Sequence, residues 1–203
     1  MAIGVSAYTG KDAVPHLPVL ARLCTVVFRE WPHLYDGDGS YDADHLRSLA
    51  DSAGTMLLVA YDGAEPIGAS TCLPLQDATH NVQAPFRTRG WPLSNFFYLA
   101  ESVILPPYRG RGTGAAFFAM RETHAIRISN CDFTCFCTVV RPQGHPAYGS
   151  STRSLEGFWR RQGYLPVSGL FCHMMWREIG GTSDSELTLQ FWVKSLTGNT
   201  LKL

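Results

Sequence analysis

The chain has no excess charge of either sign. In 203 residues, 17 Lys and Arg balance 17 Asp and Glu, and charged residues make up 17% of the sequence, below the ~25% of an average soluble domain. A broad surface for a phosphate backbone is therefore disfavoured, because such surfaces depend on clustered cations. Long apolar runs are missing as well. No stretch approaches the ~20 residues of a membrane span, and Met1 to Gly10 has no basic segment followed by an apolar one. The expectation is a soluble, cytoplasmic protein with neither membrane nor nucleic acid among its partners. Cysteine is scarce at 6 residues, too few for a disulfide scaffold, so reduced thiols are expected. Internal repeats and low-complexity segments are also lacking. What is abundant is apolar residues, 45% of the chain, enough for a sizeable core. At ~150 residues per domain the length predicts one domain over 1–203.

Periodicity divides that domain. Ile3 to Tyr8 alternates as a short strand, and Pro15 to Phe28 carries apolar residues at helical spacing. Asp42 or Asp44 can cap a second helix through Ala50. Met56 to Tyr61 and Ile67 to Leu75 flank Asp62-Gly63 as a hairpin. Gln76 to Asn95 is polar, holds Pro85, Gly90 and Pro92, and is predicted to be a long functional loop. A strand at Phe96 to Leu105, a helix at Thr113 to Ile128 and a strand at Phe133 to Val140 make a β-α-β unit. A loop from Arg141 to Arg153, a helix near Ser154 to Gln162 and strands at Phe171 to Ile179 and Leu187 to Val193 complete the chain.

The chemistry concentrates in Ile104-Leu105-Pro106-Pro107-Tyr108-Arg109-Gly110-Arg111-Gly112-Thr113-Gly114-Ala115. A strand ends at two prolines, a glycine-rich turn follows and a helix begins. Alternate glycines let the backbone approach an anion, and a helix start presents unpaired N–H groups at the positive end of its dipole. Arg109 and Arg111 add positive charge suited to phosphate. A nucleoside triphosphatase loop is excluded because Ala115, not Lys, follows Gly114. A dinucleotide fingerprint fits Gly110, Gly112 and Ala115 in spacing, but Asp132 precedes the strand that a ribose-binding acid should end.

Arg109-x-x-Gly112-x-Gly114 fits a coenzyme A pyrophosphate loop, and here the chain resembles the GNAT superfamily of N-acetyltransferases. The order of elements agrees over nearly the whole chain, and Phe158-Trp159-Arg160-Arg161-Gln162-Gly163-Tyr164 is similar to that superfamily's second conserved helix. The resemblance implies an α/β fold: a mixed, largely antiparallel central sheet with a β-α-β coenzyme A-binding core flanked by helices. It implies acetyl-CoA as cosubstrate, held by backbone N–H groups of Arg109, Gly110, Arg111, Gly112, Thr113 and Gly114, with Val103, Ile104 and Leu105 along the pantetheine arm. Acetyl would pass by direct attack to a primary amine of a small molecule or peptide. A homodimer is possible by the same resemblance.

An amine with a lysine-like pKa near ~10.4 is protonated at neutral pH and needs a base. Glu101, three residues before Ile104, is the leading candidate, on the strand face opposite Ile104. The superfamily's usual acid, a helix Tyr four residues before the final Gly, is here Trp159. Tyr148 is the substitute acid, with Tyr164 behind it, and His145 is a further catalytic candidate. The missing Tyr keeps a second reading open, an acyl-CoA-binding sensor or catalytically silent regulatory relative. His80, Arg87, Arg89 and Trp91 are read as a lid over the acceptor site. Cys131, Cys135 and Cys137 are read as small apolar residues rather than metal ligands, since they lack a second Cys-x-x-Cys or paired His. No metal is expected. The acids of residues 36–42 lack the Gly and final Glu of a calcium loop, but make a cationic acceptor conceivable.

Overall fold

Seven strands form one sheet in a computed structural model that describes residues 3–37, 43–142, 144–149 and 154–201. Strands β1 (Gly4–Thr9), β2 (Met56–Asp62), β3 (Glu65–Pro74) and β4 (Phe96–Ile104) run antiparallel in sequence order. Strand β5 (Phe133–Val139) lies parallel to β4. Then β7 (Asp184–Ser195) inserts between β5 and β6 (Leu165–Arg177), antiparallel to both. A dinucleotide fold would need mostly parallel strands; among the described residues only β4 and β5 pair in parallel, joined through α4 (Thr113–Ile128).

Helices cover both faces. On one, α1 (Leu17–Val27), α2 (Ala43–Asp51) and α3 (His80–Thr88) bury Leu20, Leu49 and Phe86 against Val59, Ala69, Phe96 and Phe191. On the other, α4 and the short α5 (Glu156–Arg161) enclose Phe117, Phe118 and Tyr164 with Leu58, Phe97 and Trp192. The helix expected over Pro15 to Phe28 is divided: a 3-10 turn runs over Gly10–His16 before α1 begins. Pro15 and Pro18 lack the N–H that an interior helical turn needs, so they fall in the turn and at the helix start.

Two expectations are corrected. The Gln76 to Asn95 loop contains α3, because Val82 and Phe86 bury one helical face and Phe86 packs edge-on to Phe96 and Phe191 at ring distances of 4.8 Å each. That tertiary anchor overrides the weak helical propensity of a segment containing Pro85. Strand β6 begins at Leu165 rather than Phe171, with a register shift between Pro166 and Phe171. A bulge there breaks the alternation by which a strand is read.

Strands β4 and β5 set up the site. Their pairing covers only Phe96–Tyr98 against Phe133–Cys135, although β4 continues to Ile104 and β5 to Val139. Past Tyr98 and Cys135 the strands part, leaving a wedge in the middle of the sheet. No helix among the described residues is long and apolar enough to cross a membrane.

Candidate active site

The loop from Leu105 to Thr113 stands at the mouth of the wedge. Pro106–Tyr108 makes one 3-10 turn, and Gly110 and Gly112 then take φ of +76° and +88°, a region that L side chains rarely adopt. Gly112 is the N-cap of α4, and the first helical bond runs from the Ala116 N–H to the Gly112 carbonyl. The N–H groups of Thr113, Gly114 and Ala115 precede that bond and have no partner within the helix. A Cβ built on Gly110 or Gly112 meets nothing within 4 Å, so open space lies against this backbone. These features fit a pyrophosphate. The arginine side chains do not point into that space alone: Arg109 donates to the Ile104 carbonyl at 2.8 Å and to Glu30 at 2.7 Å, and Arg111 donates to the Pro107 carbonyl at 2.9 Å.

Of Val103, Ile104 and Leu105, one turns its backbone to the wedge. The Leu105 N–H is given to the Ile67 carbonyl at 2.9 Å, and Gly68 faces Ile104 in the next register position. Hydrogen-bonding direction alternates along an antiparallel strand. Val103 and Leu105 therefore pair with β3, and the Ile104 N–H faces the side where β5 has moved away.

Glu101 projects from the other face of β4 into a cavity of about 450 Å³. A bulge puts it there. Between Ser70 and Cys72 the β3–β4 register shifts, so Thr71 faces both Ala100 and Glu101. Tyr98, Ala100 and Glu101 consequently all line the cavity. The Glu101 carboxylate lies 2.5 Å from His45 Nε2 and accepts a hydrogen bond from the Thr71 hydroxyl. Burial alone would raise its pKa. The His45 charge and hydrogen bond, with the Thr71 hydroxyl, outweigh burial and hold the carboxyl down at about 2.

His45 was not singled out in the sequence. It lies on α2, 7% exposed, and lines the same cavity as Glu101. Histidine in a helix carries no periodic signal of its own; the only available hint was its place on the helix beside the acidic segment. The expected lid residues His80, Arg87, Arg89 and Trp91 do not line the cavity; from the same segment Thr79, Asn81 and Val82 do. Arg87 instead bonds Gln83, while Arg89 donates to the Ser168 carbonyl and stacks over Trp91.

The structure does not bring Tyr148 or His145 to Glu101. Both pack on Trp31, at ring distances of 5.4 and 5.1 Å, and Tyr148 is 58% exposed. Neither of them lines the cavity that holds Glu101. Tyr164 cannot serve as an acid from its present position. It is fully buried, hydrogen-bonded to Glu122 and Thr134, and its pKa is pushed well up by burial and by the Glu122 charge. Trp159 packs on Phe136 and Trp192. Cys131 and Cys135 are buried, whereas Cys137 is half-buried and lines the cavity, 3.2 Å from the Tyr98 hydroxyl. Most of the acidic segment 36–42 lies outside the described residues. Within it, Asp36 is paired with Arg29 at 2.8 Å and lies 3.7 Å from Arg177.

No protein-family model and no curated protein matches the chain. Solved structures do. A structure described as an acetyltransferase of the GNAT family, from Desulfovibrio desulfuricans, is 12% identical and covers 96% of this chain and 99% of its own, with a TM-score of 0.54. A ribosomal-protein-alanine N-acetyltransferase from Brucella melitensis gives 14% identity, 97% and 100% coverage and a TM-score of 0.57. A NatC complex bound to a Gag peptide and CoA gives 15%, 97%, 100% and 0.55. With the mixed sheet, the parted β4–β5 pair and the glycine loop at the start of α4, these define the class: the chain has the GNAT acetyltransferase fold.

Proposed function

We propose that this chain is an acetyl-CoA-dependent N-acetyltransferase that works as one domain over 1–203, with the amine acceptor a small molecule or a peptide. One observation carries the reading. On a single strand, β4, the Ile104 N–H faces a wedge that opens onto a bare-amide helix start, and three residues earlier Glu101 faces a cavity on the opposite side. A thioester donor and an amine acceptor can thus meet across one strand from two separate entrances. The NatC neighbour, whose structure holds both CoA and a peptide, supports a donor of this kind, and the Brucella neighbour supports an amine acceptor by its name.

In this reading Gly110 to Gly114 hold the pyrophosphate with main-chain N–H groups, and coenzyme A supplies the activated acetyl. Ile104 aims its N–H at the thioester carbonyl, where negative charge grows as the amine attacks; one such donor is worth about 3 kcal/mol of barrier. Glu101 is ionised throughout the neutral range and draws the ammonium in. A carboxylate held at about 2 beside a charged His45 is a poor match for a base working near neutrality, so the ammonium's proton leaves by way of water in the cavity. The new C–N bond forms as the C–S bond breaks, and the thiolate leaves. Tyr148 is the proposed proton donor to it, useful but not essential for a thiol whose ordinary pKa is near ~8.5.

The test is thiol release from acetyl-CoA across a panel of primary amines and peptides, beside calorimetric titration with acetyl-CoA and with a nicotinamide dinucleotide. Acetyl-CoA binding with release driven by at least one amine is expected. Binding with silence across the panel would favour an acyl-CoA sensor, and tight dinucleotide binding alone would overturn the assignment.

A further inference from the structure

Among the described residues Arg121 is the largest side chain with less than 2% exposure. It lies on α4, about two turns after the glycine loop, among Phe117, Phe118 and Ala125. Its hydrogen-bond partners are main-chain carbonyls: Nε donates to Phe117 at 3.2 Å, and Nη1 donates to Thr71 at 3.2 Å and Glu101 at 3.3 Å. The guanidinium also stacks over Phe118, 4.9 Å from the ring centre. Burying a cation costs several kcal/mol unless its donors are satisfied. Here the satisfied groups are informative.

Thr71 is the β3 residue that faces two residues of β4, and Glu101 is the second of those two. A bulge interrupts ladder bonding and strands carbonyls. Nη1 of Arg121 takes both from the α4 side, and the Ser70 hydroxyl adds a second bond to the Glu101 carbonyl at 2.7 Å. Without the extra residue, alternation would turn Glu101 to the α4 face with Phe97 and Leu99. With it, Ala100 and Glu101 both face the cavity.

We infer that Arg121 is a positioning residue: from the opposite side of the sheet it clamps the β4 bulge that turns the Glu101 side chain into the acceptor cavity beside His45. The inference rests on the acetyltransferase reading for its catalytic consequence, not for the geometry. The clamp also ties two parts of the site to one helix, since α4 begins at the proposed phosphate cradle and holds the bulge from its middle. Arginine suits this role because its planar fork is held at Nε by the Phe117 carbonyl while Nη1 reaches both bulge carbonyls, whereas a lysine ammonium is a single point on a flexible stem.

The experiment uses the full chain with Arg121→Lys and Arg121→Met, each first shown to be folded by circular dichroism and a cooperative melt. Lys keeps the charge and most of the packing but loses the fork, so it separates geometry from electrostatics. Three quantities are read: acetyl-CoA affinity by calorimetry, the Glu101 carboxyl titration by carbon NMR, and kcat and KM with whichever amine the wild type uses. His45, Tyr98, Cys137, Asp36, Arg177 and Asp184 face the same cavity and stay unchanged in both variants. The expected result has four parts. Cofactor affinity stays within about threefold, and the Glu101 midpoint climbs from about 2 toward 4.5 in both variants. The acid limb of kcat moves with it. The rate kcat falls about 10- to 100-fold, as displacement of a reacting group by about 1 Å produces. An unmoved Glu101 midpoint in the folded Lys variant would overturn the inference, as would a loss of kcat matched by an equal loss of cofactor affinity. If no amine is acetylated even by the wild type, the functional reading fails while the Glu101 titration still decides the role of Arg121.

Discussion

Replacing Glu101 by Gln tests the electrostatics of the site without any substrate. The amide keeps the size of the side chain and its ability to meet Thr71 and His45, but removes the charge. In the folded protein the carboxyl is held at about 2 against an ordinary 4.5, a little over two units, which at ~1.4 kcal/mol per unit is about 3 kcal/mol. Because the folded value is the lower one, this stabilisation is fully present above pH 4.5 and is lost as pH falls from there toward 2. Urea unfolding followed by tryptophan fluorescence at a series of pH values reads it directly. At pH 7 Glu101→Gln should be less stable by about 3 kcal/mol, the size expected when one member of a buried pair loses its charge. At pH 3 the gap should narrow to about 1–2 kcal/mol, since the carboxyl is then protonated in the unfolded chain while still largely charged in the fold. A gap of the same size at pH 7 and pH 3 would refute the claim that the Glu101 charge is held by His45 and Thr71.

Three further variants separate the parts of the site. Gly112→Val forces a branched side chain into φ +88°, costing about 1–3 kcal/mol of strain, and fills the space assigned to the phosphates; calorimetry should show acetyl-CoA binding abolished, and near-normal affinity would remove the cradle. Tyr148→Phe should lower kcat about tenfold, less than the ~100-fold or more typical of an obligatory proton donor, with KM for the amine unchanged; an unaltered kcat would make Tyr148 a packing partner of Trp31. Tyr164→Phe removes the hydroxyl shared by Glu122 and Thr134. It should cost about 1–3 kcal/mol of stability in urea and leave kcat intact; a large kcat loss in a stable protein would restore Tyr164 as an acid.

The order of elements was legible because β-strands and amphipathic helices leave periods of two and about 3.6 residues in the sequence. Thr113–Ile128, Phe96–Ile104 and the Met56–Pro74 hairpin lie within a residue or two of the positions read from that pattern. The glycine loop was legible for a different reason: alternate glycines before a helix are a local chemical signature of backbone held close to an anion. Helix α3 was not legible, since what holds it is Phe86 against Phe96 and Phe191, residues 10 and 105 positions away in the chain. His45 was invisible in the same way. Nothing local tells a buried histidine in contact with a carboxylate from a solvated one.

The bulge shows where reading by alternation runs out. Glu101 and Ile104 fall on opposite faces of β4 under strict alternation, and they do so in the structure as well. The count alone, however, does not say which face is which. Counted forward from Tyr98, which points toward α1 and the cavity, unbroken alternation would send Glu101 into the α4 core and Ile104 to the cavity side. One inserted residue opposite Thr71 reverses both assignments: Glu101 reaches His45, and Ile104 packs with the α4 core. The fold would survive without that residue, since the β3 and β4 ladders continue on either side of it. The separation of the wedge proposed for the donor from the cavity proposed for the acceptor would not, and the buried guanidinium of Arg121, set between Phe117, Phe118 and Ala125 on α4, marks the spot.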